Sequence, residues 1–355
     1  MNAESERDVP VSAAELAAIA EWMRREGLGG GQFGAVELLS GGTQNIMLKV
    51  EVDGIPRVLR RGPAHLRPTT NKHLTREARI LGALAGTDVP HARLVAFCDD
   101  PTVWSGSCFY LMDLVDGFNA TVDLPPLHAG APEIRREMGF SVVDALVGLG
   151  ELNPTAIGLA DVGRPDGFLA RQVPQWLAEY DGYRRFDGYH EPAHDGVAIM
   201  ADWLSVHLPP QGRPGLMHGD FHLANVMFSG TSPDVAAIID WEMTTVADPL
   251  LDFGWLLCMW PENHGGAVGG VLGGAGGLPS EAELVARYAE RSSRPLDHLD
   301  WYATMACFKL GVLLEGTYAR ACAKLAPMEV GEQLHATAFR LFEQGLRRIA
   351  AGPPS

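Results

Sequence analysis

The stretch "LMHGDFHLANVMF", residues 216–228, places two histidines, an aspartate and an asparagine between apolar residues. It follows "PPQGRPG", a segment whose prolines and glycines interrupt regular structure. It ends in the apolar run Val226, Met227 and Phe228, which is typical of a short strand. The polar residues are therefore predicted on a loop between ordered elements, where catalytic groups are often held by a rigid scaffold.

A predicted hairpin follows this loop. After the first strand, the turn "SGTSPD" leads into "AAIID", which ends at Asp240. A hairpin of this length returns its end close to its beginning, so we expect Asn225 and Asp240 to meet beside Asp220. One carboxylate and one amide oxygen suit Mg²⁺, which takes its other ligands from water and nucleotide phosphates. The remaining carboxylate, Asp220, is then free to orient a hydroxyl and accept its proton.

Length and composition indicate an ordinary globular protein of two domains. The chain has 355 residues, of which 46% are hydrophobic and 20% charged. Its 28 Lys and Arg against 44 Asp and Glu give a net charge of −16, which argues against a nucleic-acid or anionic-membrane partner. The acidic balance fits a cationic substrate, and it equally fits solubility alone.

We expect a cytoplasmic location. The five cysteines form no C-x-x-C pair and are typical of buried thiols in a reducing compartment. The first ten residues, "MNAESERDVP", lack the basic and apolar regions of a signal peptide. The most apolar long stretch, residues 301–314, is interrupted by Lys309 and is too short to span a bilayer.

The N-terminal domain, residues 1–114, is predicted to hold a small antiparallel sheet with one helix. A helix within residues 12–26 precedes strands at about 35–39, 46–52 and 56–61, and "VDGIP" has the chemistry of a hairpin turn. The amphipathic "TTNKHLTREARILGALAG" predicts a helix, and "ARLVAFC" and "CFYLMDLV" predict two more strands. The order is β-β-β-α-β-β.

The C-terminal domain, residues 115–355, is predicted to be mainly helical, which makes the fold class α+β. The only strands expected there lie within residues 226–240. The glycine-rich segment at residues 263–277 is not expected to hold regular structure, and it is either an inert linker or a substrate lid. Helical patterns occur near 132–150, 172–182, 195–207, 280–291, 297–324 and 329–350.

"HGDFHLAN" and "IIDWE" resemble the catalytic loop and metal-binding segment of the aminoglycoside phosphotransferase family. This family has a two-lobed protein-kinase-like fold, and the resemblance covers roughly residues 30–345. Four segments resemble the branch that includes the kinase domain fused to certain acyl-CoA dehydrogenases: "RVLRRGP", "YLMDLVDG", "ADPLLDFGWLL" and "LDWYATMACFKLGVLLEGTYAR". The resemblance implies a kinase that uses ATP and Mg²⁺ to phosphorylate a hydroxyl of a small molecule.

The resemblance also implies roles for residues of the second domain. Asp220 is the expected catalytic base, and Asn225 and Asp240 are the expected Mg²⁺ ligands. His218 is expected to brace the loop, as is Asp248 in "ADPLLDFG". For His222, a partly exposed loop position without a catalytic role is at least as good an interpretation as a functional one.

In the first domain, "LLSGGTQNIML" occupies the place of the loop that covers the nucleotide phosphates. The backbone of Gly41 and Gly42 and the hydroxyls of Ser40 and Thr43 are the expected contacts, although two glycines between strands also make an ordinary turn. The kinase pattern of three spaced glycines is absent.

Two further elements complete the expected nucleotide site. Arg60 on the third strand and Glu77 on the helix are expected to form the phosphate-binding ion pair, with Arg in place of the usual Lys. A surface arginine is the alternative for Arg60. In "YLMDLVDG", the backbone of Asp113 and Val115 is expected to contact adenine, and Met112 to line its pocket.

Three questions stay open on the sequence. The resemblance implies an acceptor that is an aminoglycoside or other antibiotic, an amino alcohol, a sugar or a hydroxyacyl compound, and the sequence does not choose among them. Glu242 in place of an Asp-Phe-Gly motif favours a small-molecule kinase over a protein kinase. The alternatives to an active small-molecule kinase are a nucleotide-binding pseudokinase and a metal-dependent hydrolase. Tyr302, Lys309 and Glu315 either line the acceptor site or make solvated or structural contacts.

Overall fold

The computed structural model describes residues 11–39, 45–63, 65–190, 195–264 and 268–352. The contacts divide the chain into two compact units. The first is Met1–Gly117 with Ala236–Glu242, and the second is Phe118–Val235 with Met243–Ser355. The sequence was divided at residue 114, whereas the contacts group residues 236–242, with Asp240, into the first unit. The reason is local, since the Ile238 N–H donates to the Pro90 carbonyl at 2.9 Å.

The first unit is a five-stranded antiparallel sheet with two helices. The strand order is β1-β2-β3-β5-β4, and the predicted succession of three strands, a helix and two strands is confirmed. The elements are α1 (Ala13–Arg25), β1 (Phe33–Leu38), β2 (Ile46–Val52), β3 (Ile55–Arg61), α2 (Thr70–Leu84), β4 (Leu94–Cys98) and β5 (Phe109–Asp113).

The hairpin of β2 and β3 sets the register of this sheet. Asp53 and Gly54 both have positive φ, 49° and 80°, as a two-residue type I′ turn requires. Val52 therefore pairs with Ile55, and each strand alternates its side chains between the two faces. α1 covers one face with Trp22, whose ring meets Phe109 edge-on at a centroid distance of 5.0 Å.

The second unit is mainly helical, and the six predicted helices are all present in it. β8 begins in this unit and ends in the first. The elements are α3 (Pro126–Gly130), α4 (Pro132–Glu151), α5 (Phe168–Gly182), α6 (Gly196–Val206), β6 (Gly215–Met217), β7 (Val226–Phe228), β8 (Val235–Ile238), β9 (Thr245–Ala247), α7 (Leu250–Cys258), α8 (Gly270–Ala275), α9 (Glu281–Arg291), α10 (Leu299–Cys322) and α11 (Met328–Ala351).

Three features of this unit differ from the sequence prediction. β6 pairs with β9, and both strands have only three residues, too few to show an alternating pattern. α7 is buried on nearly all sides, so it shows no amphipathic period. The glycine-rich segment was expected to be irregular, which is wrong for α8. There Leu272 is fully buried, and the Val271 N–H donates to the Thr121 carbonyl at 3.0 Å.

α10 lies at the centre of the second unit, packed against α7 and α11. α7 approaches it at Gly254, where an added Cβ would lie 2.5 Å from the Tyr302 carbonyl carbon. All five cysteines are free, and four of them are buried. Among the residues described, no helix has both the length and the apolar character needed to cross a membrane.

Gly254→Ala tests this close approach. Because the new methyl group meets backbone, we expect a loss of about 1–3 kcal/mol in the free energy of unfolding, measured with urea. Gly148→Ala on α4 is the matched control, since nothing lies within 4 Å of its added Cβ. Removing glycine from that open helical site should stabilise by roughly 0.4–1 kcal/mol. Equal stability of the two variants would contradict the packing described.

Candidate active site

The loop between β6 and β7 carries Asp220 and is held by a buried carboxylate. The Gly219 N–H donates to Asp252 Oδ1 at 2.8 Å, and the His218 N–H donates to Asp252 Oδ2. Gly219 has φ 88°, and a Cβ there would lie 2.5 Å from the Met243 carbonyl oxygen. Only glycine fits that position without strain. Asp252 on α7 therefore fixes the backbone immediately before Asp220.

The residue that braces the loop is Asp252, whereas Asp248 was predicted in that role. This assignment is wrong, because Asp248 accepts from the Leu250 N–H at 3.1 Å and from the Tyr302 hydroxyl at 2.8 Å. Both carboxylates lie within "ADPLLDFG", and the motif alone does not show which one faces the loop. Burial raises the pKa of Asp252 to about 7, and the two backbone donors oppose that rise.

Three side chains hold the Asp220 carboxylate. Trp255 Nε1 donates to Oδ1 at 3.1 Å, Asn225 Nδ2 donates to Oδ2 at 3.1 Å, and His222 Nε2 lies 3.4 Å from Oδ2. Burial raises the pKa of Asp220, but His222, with smaller effects from His218 and Lys309, brings it below its usual value. The Asp220 side chain keeps 39% of its accessible surface. It is therefore both ionised and reachable.

His222 has a defined place that the sequence did not reveal. Its Nδ1 accepts the Ala224 N–H at 3.2 Å and so caps the 3₁₀ helix Leu223–Asn225. With Nδ1 used as an acceptor, the ring proton is on Nε2, the atom that faces Asp220. The sequence offered no sign of this, because the contact depends on how the loop turns.

Asn225 is oriented by two donated hydrogen bonds. Its Nδ2 donates to the Asp220 carbonyl at 2.9 Å as well as to the Asp220 carboxylate. Within the described part of the chain, Asn225 Oδ1 accepts no hydrogen bond. This amide oxygen is therefore available to a ligand.

In the first unit, Arg60 and Glu77 form a buried ion pair. Arg60 Nε donates to Glu77 Oε2 at 2.9 Å, and Arg60 Nη2 donates to Oε1 at 3.3 Å. The Tyr110 hydroxyl donates to Glu77 at 3.0 Å, and Arg60 Nη2 lies 3.4 Å from Asp240 Oδ1. Burial lowers the pKa of Arg60, but Tyr110, Glu77 and Asp240 outweigh it and raise the pKa. Arg61, on the other face of β3, packs over the Trp104 ring.

The other expected nucleotide contacts are placed as follows. Ser40, Gly41, Gly42 and Thr43 lie outside the described residues. Met112 is half-buried near the end of β5. The Asp113 N–H donates to the Arg93 carbonyl at 2.9 Å, and its carboxylate is ion-paired with Arg57 and Arg93. The Asp113 N–H is thus already used, whereas Val115 makes no hydrogen bond with any described residue.

A cavity of about 250 Å³ lies beside the catalytic loop in the second unit. Gly219, Trp255 and Lys309 are among its lining residues. Tyr302 and Glu315 are not, since Tyr302 bonds Asp248, and Glu315 accepts from the Tyr189 hydroxyl at 2.9 Å and pairs with His335. Of the three helix residues considered for the acceptor site, Lys309 alone lines this cavity.

The five-stranded antiparallel sheet followed by a helical unit is the protein-kinase-like fold of the aminoglycoside phosphotransferases. Residues 35–291 match the model of the phosphotransferase enzyme family, and the chain belongs to that family. Acyl-CoA dehydrogenase family member 10 of Mus musculus is 28% identical over 316 residues, which are 86% of this chain. The chain spans only 28% of the length of that relative.

Two solved structures place the fold. One, from Ralstonia eutropha JMP134, is assigned as an aminoglycoside phosphotransferase; it is 29% identical, with 93% of this chain and 98% of that chain covered and a TM-score of 0.77. The other is a thermostable aminoglycoside phosphotransferase mutant in a ternary complex with ADP and hygromycin B. It is 13% identical, with 95% of this chain and 100% of that chain covered and a TM-score of 0.61. The two proteins therefore share the fold.

The raised pKa of Asp252 predicts a pH dependence of stability. Its folded pKa of about 7 lies above the ordinary 3.8, so the folded state binds this proton more tightly. The resulting stabilisation is complete below pH 3.8 and is lost as the pH rises towards 7. Urea unfolding gives the free energy of unfolding of the wild type and of Asp252→Asn at each pH. The difference, wild type minus variant, should therefore fall as the pH rises from 3.8 to 7. The exposed Asp202→Asn is the control, and a difference that is flat or rises with pH would contradict the assignment.

Proposed function

We propose that this protein is an ATP-dependent small-molecule kinase that transfers the γ-phosphate to a hydroxyl group of its acceptor. The observation that carries the proposal is the state of Asp220, an ionised and half-exposed carboxylate held by Trp255, Asn225 and His222. A carboxylate in this state can orient a hydroxyl and accept its proton. A pseudokinase has no need of a carboxylate that is both ionised and reachable.

The proposed reaction is a direct transfer of the γ-phosphoryl group to the acceptor hydroxyl. The acceptor oxygen forms a bond to the γ-phosphorus, and the bond from that phosphorus to the β–γ bridging oxygen breaks. The bonding electrons leave with ADP, and the hydroxyl proton passes to the Asp220 carboxylate. The protein's contribution is mostly positioning. Trp255 and Asn225 hold the two oxygens of Asp220 in place, and Asp252 holds the backbone before it.

Asn225 and Asp240 are the proposed Mg²⁺ ligands. Their donors fit a hard cation, because the Asn225 Oδ1 is unused and the Asp240 carboxylate keeps 41% of its accessible side-chain surface. When bound, the metal supplies positive charge that neutralises the phosphate oxygens. Asn225 is pre-oriented for this role, since its amide nitrogen is committed to Asp220.

For the nucleotide, we propose that Arg60 contacts the phosphates and that the backbone of Val115 contacts adenine. Glu77, which is itself held by the Tyr110 hydroxyl, keeps Arg60 in one orientation, so the Arg60 guanidinium loses little freedom on binding. Met112 and Asp113 complete the proposed adenine contact, and Ser40, Gly41, Gly42 and Thr43 the proposed phosphate loop. The last four roles rest on the sequence alone.

Asp220→Asn should abolish most phosphoryl transfer while ATP binding stays nearly unchanged. The substitution removes the proton acceptor and keeps the shape, so kcat should fall about 10²- to 10⁴-fold. Transfer is measured by mass spectrometry on a panel of hydroxylated metabolites and antibiotics with ATP and Mg²⁺, and ATP binding by calorimetry. Asp202→Asn is the control. Near-normal turnover of Asp220→Asn would remove Asp220 from the role of base.

Asp240→Ala should weaken the dependence of nucleotide binding on Mg²⁺, because it removes a negative charge from the proposed cation site. The measurement is ATP affinity at increasing Mg²⁺ concentration. Glu51→Ala is the matched control, since it removes an exposed carboxylate from the same unit. If the Mg²⁺ dependence of Asp240→Ala equals that of the wild type, the metal is held by other residues.

A further inference from the structure

The cavity beside the catalytic loop contains a cation without a close anion. Lys309 Nζ lies 3.5 Å from the Gly219 carbonyl oxygen, 4.6 Å from the centre of the Trp255 ring and 5.6 Å from that of Trp176. No carboxylate of the described residues lies within 4.0 Å of this nitrogen. An ammonium group has three N–H donors, so most of its hydrogen-bonding capacity is unmet. Cations in such surroundings are normally paired.

A second hydrogen-bond donor on the same cavity, Trp176 Nε1, has no partner among the described residues. Trp176 Nε1 is buried and makes no hydrogen bond with any residue that the structure describes, and Trp176 lines the cavity together with Lys309. Leaving a buried N–H unpaired destabilises a protein. Arg171, exposed at the same cavity, adds a further positive charge. These groups are suited to a ligand that accepts hydrogen bonds and carries a negative charge.

The acidic residues near this cavity are already engaged. Asp252 accepts the N–H groups of His218 and Gly219, and Asp220 accepts from Trp255. Burial lowers the pKa of Lys309, and the charges of Asp252 and Asp220 oppose that effect from a distance. The two carboxylates therefore favour a charged Lys309 without pairing with it directly.

The aromatic rings of the cavity do not form a free site for a cationic acceptor. Indole faces bind cations well, but Lys309 already occupies the space near both Trp176 and Trp255. A second cation there would be repelled by the ammonium group. The local charge thus opposes an amine-bearing acceptor, although the net charge of the chain is −16.

Trp255 connects the anion-binding groups to the reaction centre. Its ring faces Lys309, and its Nε1 donates to Asp220. A molecule anchored at Lys309 therefore lies next to the residue that holds the base. Among the other lining side chains, Gln172, Gln175, Thr245 and Asp252 are polar, and the apolar ones are more numerous: Phe168, Met217, Met243, Leu251, Met305 and Ala306. Such a lining favours a hydrocarbon body over a sugar.

We propose that the acceptor is a hydroxycarboxylic acid with an apolar chain, whose carboxylate binds Lys309 and Trp176 Nε1 while its hydroxyl faces Asp220. This inference rests on the proposed kinase function and specifies its substrate class. Lys309 and Trp176 are the specificity residues. Asp220 remains the base.

The test compares three probes of one length: hydroxyhexanoate, methyl hydroxyhexanoate and aminohexanol, each with the hydroxyl on the terminal carbon. Their affinity for the full chain is measured by calorimetry, and their phosphorylation by mass spectrometry as a separate readout. Charge-assisted hydrogen bonds to a carboxylate are strong, so the acid should bind at least about tenfold more tightly than the ester or the amine.

Variants assign the preference to individual groups. Lys309→Met should weaken binding of the acid roughly 10- to 100-fold and change binding of the ester much less. Lys309→Arg should keep most of the affinity, and it covers the case in which Lys309→Met does not fold. Trp176→Phe should weaken binding of the acid several-fold. Lys324→Met, which removes an exposed charge from the same unit, is the control and should match the wild type.

The two readouts separate the two proposals. Three results would each overturn the hydroxy-acid proposal. Aminohexanol could bind as tightly as the acid or more tightly, no probe could bind, or Lys309→Met could keep the preference for the acid. Binding of the acid that depends on Lys309 but is followed by no phosphorylation would support the anion site and count against the kinase function.

Discussion

The pair of hydrogen bonds from the His218 and Gly219 backbone to Asp252 is the constraint on which the rest of the site depends. These bonds fix the loop just before Asp220, where Gly219 adopts the left-handed conformation. The helix that carries Asp252 also carries Trp255, which holds the Asp220 carboxylate and lines the cavity. One buried helix therefore sets the position of the proposed base and helps to line the proposed acceptor cavity.

Local charge, more than net charge, defines the proposed chemistry. The chain is strongly acidic overall, yet its buried charges are arranged in specific pairs, such as Arg60 with Glu77. In the cavity, Lys309 Nζ lies 4.6 Å and 5.6 Å from the centres of two indole rings, and no carboxylate of the described residues is within 4.0 Å of it. At physiological ionic strength the Debye length is about 8 Å, so exposed charges farther away are largely screened. Composition alone therefore gave no guide to the acceptor.

Much of the fold was predictable because its signals are local. The Asp53–Gly54 turn, the alternation of β2 and β3 and the amphipathic period of α2 each lie within a short window. α7 was missed because a helix buried on nearly all sides has no polar face. The choice between Asp248 and Asp252, and the contacts of Trp255 and Lys309, depend on residues that are distant in sequence. The spacing of residues along the sequence does not reveal such contacts.

The most direct test of the kinase proposal follows the phosphate itself. ATP labelled with ¹⁸O in its γ-phosphate is incubated with the protein, Mg²⁺ and the hydroxylated compounds. The masses of the products are then measured by mass spectrometry. We expect the heavy phosphate to appear as a phosphate ester of one acceptor, and to disappear from that product in Asp220→Asn. Heavy label found only in inorganic phosphate would indicate a hydrolase, and label retained entirely in ATP would indicate a nucleotide-binding pseudokinase; either result would contradict the proposal.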